Sequence, residues 1–487
     1  MIRVPSDLMA DLILLTAVLV FGALLARALL GEWVAIRIAS LAFPLGSGLL
    51  TWLIFLLSWL GLRIDLPNVV GLLVGGSVVS WAIIRGTKRR EVPGAPVGEG
   101  GSRASDRSNL WLLGLVGAVA VAFIAANLYI SIARSYSVWD SAAIWSVKGY
   151  GIAREGSIFA GREWGAHGLA YPLNIPILVT VFALAGGDPL PGSKGLFPLY
   201  FASLLLGVYQ YGRSHGMRRE TAAVAALCVA SIPLVFMEST TGYANAPMTV
   251  YLVLGALAVV DGWLTSSTRE LLTGGFLFGL AGWTRVEGAF YAAFILVAGI
   301  VVMAASGKLR LKWMWPLVPL AVLTIPWLVF YRLYGAESSQ AVGALTQAVG
   351  AMRQGVFHLG ALRLVLGEVA GSLTDFRAWG WIWILTALIA ALGFRGASRQ
   401  TRLGFLAMVS MSAATVVVTV LLFYVGSYGM PEFRGWLSGN FDRFFLPSPI
   451  LLFLGVVWLM GHARSAESGA SDPGDTRVLG AGRRSQA

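Results

Sequence analysis

The sequence predicts an all-α polytopic membrane protein, a helix bundle of about 13 spans with interfacial helices in its first large outer loop. Three observations carry that expectation. Of the 487 residues 57% are hydrophobic and only 12% charged, with a mean hydropathy of +0.75, too apolar for a water-soluble chain of this length. Apolar runs of roughly 17 to 25 residues recur from end to end, each long enough to cross a hydrocarbon core of about 30 Å as a helix. Alternating stretches of about ten residues are absent, which excludes a membrane barrel. Backbone polar groups in lipid must be satisfied within their own segment, so the helix is the element left.

In chain order, an N-terminal extension over 1–85 holds three spans, at about 9–30, 36–61 and 67–85. Only Arg3 precedes the first apolar stretch. That stretch is too long for a signal-peptide core and lacks a small-residue cleavage site, so it reads as a retained span. A polar linker over 86–109 carries Lys88, Arg89, Arg90, Arg103 and Arg107 among Gly, Pro and Ser, as a mobile cytoplasmic loop does. The core, 110–464, is expected to place spans at about 110–133, 195–211, 221–236, 247–264, 271–284, 288–305, 314–334, 378–394, 403–424 and 444–462. The tail, 465–487, is rich in Gly, Ser, Asp and Arg and is expected to be disordered and cytoplasmic. No internal repeat stands out.

Charge sets the orientation. The formal net charge is +12, but Lys and Arg cluster in short loops between apolar runs, which reads as positive-inside topology rather than as a nucleic-acid surface. Thirteen spans put the loops Arg213–Arg219, Lys308–Lys312 and Arg395–Arg402 on one side with the linker and the tail. The run Tyr171–Gly186 would break that parity if it crossed. It is short and opens on Pro172 and Pro176, so it is expected as a re-entrant or interfacial helix in an outer loop from Arg134 to Lys194. Further outer segments run from about Gly335 to Arg377 and from Gly426 to Arg443. The single cysteine, Cys228, lies in an apolar run and offers neither a disulfide framework nor a Cys-based metal site.

The outer loops mix acidic, basic and aromatic residues, where sites on rigid scaffolds usually lie. The first stretch runs from Ser137 to Lys148. Asp140, between Trp139 and Trp145, is suited to take a proton from an acceptor hydroxyl or to hold a divalent cation; its plainer role is a helix cap. Lys148 falls near the Asp140 face of a helix at about 100° per residue and suits a phosphate, unless it merely snorkels to lipid head groups. His167-Gly168-Leu169-Ala170-Tyr171-Pro172 opens the interfacial helix, and a lone His is more often a hydrogen-bonding residue than a ligand. The short loop Glu238-Ser239-Thr240-Thr241-Gly242-Tyr243-Ala244-Asn245-Ala246-Pro247 has Asn245 as a candidate cap and Glu238 near the membrane surface. Thr284-Arg285-Val286-Glu287-Gly288 puts opposite charges at the edge of a span, suggesting a role beyond a local ion pair. In Phe441-Asp442-Arg443-Phe444-Phe445-Leu446-Pro447, Arg443 suits a bidentate grip on phosphate or interfacial anchoring.

In this order and on this side, these stretches resemble the GT-C class of membrane glycosyltransferases, particularly the bacterial branch near the protein mannosyltransferases and lipid A aminoarabinose transferases. The family's acid after the first core span is matched by Asp140, and its His and Tyr-Pro segment by His167 with Tyr171-Pro172. Its Gly-Tyr-Ala-Asp-x-Pro stretch is matched by Gly242 to Pro247, its Thr-Arg-x-Glu-Gly turn by Thr284 to Gly288, and an Arg-Tyr-x-x-Pro-like segment by Arg443 to Pro447. The resemblance covers roughly Leu110 to Met460.

It implies a GT-C core preceded by three additional spans. The implied reaction is inverting transfer of a hexosyl or pentosyl group from a polyprenyl-phosphate donor to a glycan, lipid or protein acceptor outside a bacterial plasma membrane. Asp140 would be the general base. Lys148, His167, Tyr171, Glu238, Asn245, Arg285, Glu287 and Arg443 would bind substrate, with Arg443 and Lys148 on the leaving phosphate as its charge grows. Asn245 departs from the family's acid: an amide is no base and a weak metal ligand, so a two-carboxylate metal site would need Glu238. Metal-independent catalysis is the expectation, a divalent cation the alternative. A flippase for lipid-linked sugars is the main rival, but transporters commonly show two related halves and broken helices near the midplane. A noncatalytic scaffold would leave Asp140 without a chemical purpose.

Overall fold

The structure, a computed structural model, describes residues 5–86, 106–134, 139–164, 166–186, 193–307, 310–335, 340–394, 397–430 and 432–469. Among them every regular element is helical. The chain opens with α1 (Pro5–Leu30), α2 (Ala35–Trp59), α3 (Leu66–Gly86) and α4 (Asp106–Ala133). A π-helix (Ser141–Ser146), α5 (Val147–Glu155), a 3₁₀ turn (Ile158–Arg162) and α6 (Asn174–Gly186) follow. Next come α7 (Phe197–Ser214), α8 (Arg219–Ala230), α9 (Pro233–Glu238), α10 (Asn245–Thr265), α11 (Thr268–Thr284), α12 (Val286–Ala305) and α13 (Leu317–Tyr334). The remainder is α14 (Gln340–Arg353), α15 (Leu359–Thr374), α16 (Phe376–Trp379), α17 (Ile382–Gly393), α18 (Arg399–Gly426), α19 (Phe433–Phe445) and α20 (Pro447–Gly469).

Nine helical stretches among the described residues are long and apolar enough to cross a membrane. The other expected spans coincide with α7, α8 with α9, α11 and α17, which are shorter or less apolar. The run expected as one span at 221–236 is corrected to two helices. α8 stops at Ala230 and α9 starts at Pro233, with Ile232 at φ −69°, ψ 113°. Proline lacks the N–H that would bond the previous turn and drives the residue before it out of the α region. Two edges also move: α4 begins within the expected linker, and α20 extends to Gly469, within the expected tail. Residues 87–105 and 470–487 lie outside the described residues.

α10 is the centre of the bundle. It packs on α2, α7, α11, α12, α18 and α20, and its sequence is apolar all round, as a helix without an exposed face requires. A Cβ on Gly274 of α11 would lie 2.8 Å from the carbonyl oxygen of Gly255 on α10, so glycine is what lets these two backbones approach. By contrast α3 and α4 are each only 17% buried. Their exposed residues are apolar, as for helices whose solvent is lipid.

α2 is built into the bundle by polar contacts. Thr51 donates to Asn174 Oδ1 at 2.6 Å, Asn174 Nδ2 to Thr284 at 2.7 Å, and Trp283 Nε1 to Thr51 at 3.0 Å. The hydroxyls of Ser47, Tyr200 and Tyr251 form a second chain, which ends on the Pro44 carbonyl at 2.8 Å. Buried polar groups must find such partners. Here they hold α2, α6, α7, α10 and α11 in register and fix Thr284, the residue before Arg285. α6 itself, 13 residues long, is buried against α1, α2 and α5, the setting in which a helix too short to span is tolerated.

Candidate active site

The nine candidate residues converge at one end of the bundle. The helix after α4 resumes by Trp139 and is a π-helix over Ser141–Ser146, with Ser146 Oγ donating to Ser141 O at 2.8 Å. Hence the 100° per residue relation expected between Asp140 and Lys148 does not hold across this turn; Ser137 and Val138 lie outside the described residues. Asp140 has helical backbone angles and makes no cap hydrogen bond, which corrects the capping role. Its Oδ2 instead accepts from Arg443 Nη1 at 3.2 Å.

Arg443 lies at the end of α19, just before Pro447 opens α20, a position proline favours. The guanidinium is aimed by Asn440 Oδ1, one turn back on the same face, and by the Gly439 carbonyl at 3.3 Å. It lies over the Tyr243 ring at 4.5 Å, a cation–π contact.

Lys148 is fully buried, and its Nζ has no hydrogen-bond partner among the described residues. Its stem runs past Gly161, where a Cβ would meet Cγ and Cδ at 3.3 Å. This lysine therefore does not snorkel. Burial pushes its ammonium down to about 8, because a low dielectric disfavours the charged form. A buried cation without a counter-charge is costly, and an anion brought into the site would offset that cost.

His167 adopts a left-handed backbone, φ 61°, followed by Gly168 at φ 46°. Its ring is edge-on to Trp139 at 5.9 Å and Tyr171 at 5.6 Å, and Tyr171 meets Trp145 at 5.6 Å. Burial, reinforced by the Lys148 charge, lowers the imidazole, with Asp140 opposing; it is neutral at neutral pH. Burial, with Glu287, pushes the Tyr171 hydroxyl up to about 12, against Arg285.

The second half of the site hangs on the break between α11 and α12. Arg285 is extended there, φ −148°, ψ 144°, and a Cβ on Gly288 would lie 2.2 Å from Ala281 O, so glycine permits the sharp return. Arg285 takes both oxygens of Glu287 at 3.2 Å, donates to Asn245 Oδ1 and lies over the Phe444 ring at 4.8 Å. The local ion pair is real, and the third contact ties it to α10. Asn245 is not the cap: Ala244 holds that position, no cap bond forms, and the buried Asn245 amide nitrogen has no partner among the described residues.

Glu238, at the end of α9, is buried with Oε2 unpartnered among the described residues. Burial pushes it up to about 7, although Arg443 and Arg285 pull it down. Tyr243, Phe444 and Asn440 were not singled out by the sequence reading. Tyr243 and Phe444 sit inside its motifs, and Asn440 precedes Arg443 by three, the helical spacing for a contact.

No group of three His, Cys, Asp or Glu side chains among the described residues gathers to hold a metal. Asp140 Oδ2 is engaged by Arg443 and Asn245 Oδ1 by Arg285, so the donors do not fit a two-carboxylate centre.

Residues 180–330, about a third of the chain, match the family model described as dolichyl-phosphate-mannose-protein mannosyltransferase, a GT-C-type glycosyltransferase family. The matched stretch includes Glu238, Asn245, Arg285 and Glu287; Asp140, Lys148, His167, Tyr171 and Arg443 lie outside it. No curated protein and no solved structure matches the chain. Together the match and the apolar helical scaffold support a multi-pass membrane glycosyltransferase of the GT-C type.

Proposed function

We propose that this GT-C-type membrane glycosyltransferase moves a hexosyl or pentosyl group from a polyprenyl-phosphate donor to a glycan, lipid or protein acceptor of the cell envelope, at the outer face of a bacterial plasma membrane. The observation that carries the reading is a carboxylate, Asp140, held 3.2 Å from Arg443 beside Lys148, a buried cation that lacks a counter-charge. Transfer from a phosphodiester needs one group to accept a proton and others to receive growing negative charge.

The acceptor oxygen attacks the anomeric carbon opposite the phosphate, and its proton passes to Asp140. The electron pair of the breaking C–O bond goes to the phosphate, which leaves as a monoester with one more negative charge. Arg443 and Lys148 receive that charge. The donor phosphate competes with Asp140 for the Arg443 guanidinium, so donor binding frees the carboxylate for its proton. Tyr171 and neutral His167 offer hydrogen bonds to the sugar, as does the unpaired amide of Asn245.

Turnover of a panel of polyprenyl-phosphate sugars by purified protein and its Asp140→Asn variant, with a cell-envelope extract as acceptor, tests this. Donor consumption lost in a still-folded variant is the expected result. Movement of lipid-linked sugar across liposomes that survives Asp140→Asn, with no donor consumed, would replace the transferase by a flippase.

A further inference from the structure

The opposite end of the bundle holds a second polar cavity. Asp261 lies about 24 Å beyond Asn245 along α10, at about 1.5 Å per residue. The cavity, about 50 Å³, opens between α2, α7, α10 and α11, and its lining includes Arg37, Ser40, Tyr211, Ser214, Asp261 and Thr273. Such a volume admits a few water-sized groups, or an ammonium on a short stem.

Its hydroxyls are committed as donors. Ser40 donates to Arg37 O at 2.8 Å, Ser214 to Tyr211 O at 2.9 Å and Thr273 to Arg269 O at 2.8 Å, so each has only lone pairs left to offer. Both terminal nitrogens of Arg37 are engaged, by Glu32 at 2.8 Å and by Glu270. Glu32, Asp261 and Glu270 all act on that one guanidinium, leaving carboxylates in excess. The His215 ring, Nε2 3.0 Å from Asp261 Oδ1, also bears on this charge. Arg269, Arg310 and Lys312 are turned to Leu30 O, Ser266 Oγ and Ser266 O respectively. The Tyr211 hydroxyl lines the cavity from a residue only 3% exposed and has no hydrogen-bond partner among the described residues.

We propose that this cavity binds a primary ammonium group, seated between the Asp261 carboxylate and the Tyr211 hydroxyl. Three N–H donors and one positive charge complement an acceptor-rich, carboxylate-rich wall. A quaternary ammonium carries the charge without the donors and is bulkier. The head group of an aminophospholipid and a free amine present the same chemistry. The inference does not depend on the sugar-transfer reading.

The full-length protein in phosphatidylcholine nanodiscs is titrated with ethanolamine or choline, and compared with nanodiscs containing phosphatidylethanolamine, reading the thermal unfolding midpoint. The expected result is a rise with the primary amine and none with choline. The response should weaken about tenfold in Asp261→Asn, the size of one charge-assisted contact, and less in Tyr211→Phe. A response to free ethanolamine identifies a soluble amine, and a response confined to the lipid identifies the head group. An equal response to choline, a response unchanged in both variants, or none with either amine overturns the proposal. Tyr211→Phe leaves Asp261 and His215 in place, so the test stands if Asp261→Asn does not fold.

Discussion

Around the start of α10, charge is buried without being fully paired: Lys148 has no counter-charge, and Glu238 keeps an unpartnered oxygen among the described residues. Around the far end of the same helix Arg37 is clamped between Glu32 and Glu270, and Asp261 faces His215. Both ends sit in the same apolar bundle, so dielectric alone does not separate them. Pairing is what stability demands of a buried charge. A charge left unpaired is a cost the fold bears for something that arrives later, and here such charges gather where Asp140 and Arg443 meet.

The largest effect that would break this contrast belongs to Asp140. Asp140→Asn should lower sugar transfer by about 10²–10⁴-fold, the usual weight of a general base, with little change in the unfolding midpoint; full activity in that variant would remove Asp140 from the chemistry. Lys148 and Arg37 then give opposite signs. Lys148→Met should cost about 10²–10³-fold in transfer while leaving the protein as stable or more so, since a lone buried ammonium is gone. Arg37→Met should destabilise by about 3–5 kcal/mol, because two carboxylates lose their partner; calorimetry or denaturant titration decides.

Glu238 sharpens the comparison through pH. Its carboxyl holds its proton up to about 7 when folded against an ordinary 4.5, so the folded state binds the extra proton between those values. That contribution to stability is present in full below about 4.5 and is lost as pH rises to about 7. The midpoint measured from pH 4 to 8 should therefore fall more steeply in the native protein than in Glu238→Gln. The smallest effect is Tyr243→Leu, which removes the ring beneath Arg443. A cation–π contact of about 0.5–1 kcal/mol predicts a loss of about two- to fivefold in kcat/KM, and no loss would mean the ring only packs.

Composition and run length made the helical membrane fold readable, because lipid leaves a chain few options. Pro233 also announced its break, and the expectation of one span at 221–236 underweighted it. The motifs pointed to the correct end of the bundle for Asp140, His167, Asn245 and Arg285. Their pairing was not readable: Asp140 meets a residue 303 positions away, and no local pattern encodes such a contact. Thr51 was equally silent, one hydroxyl in an apolar run whose meaning lies in Asn174 and Thr284 across the bundle. The burial of Lys148 likewise depends on what covers it, and sequence spacing says nothing of that.

The π-helix over Ser141–Ser146 can be regarded as an α-helix that has accommodated a single inserted residue. Removing one residue from this stretch would let the chain relax to the ordinary winding and turn everything downstream by about 100° about the helix axis. Asp140, upstream, would keep its place beside Arg443, while Lys148 would swing out of its enclosed position. A shortened protein would then retain its proton acceptor and lose its buried cation, a change of reading frame in three dimensions rather than in the gene.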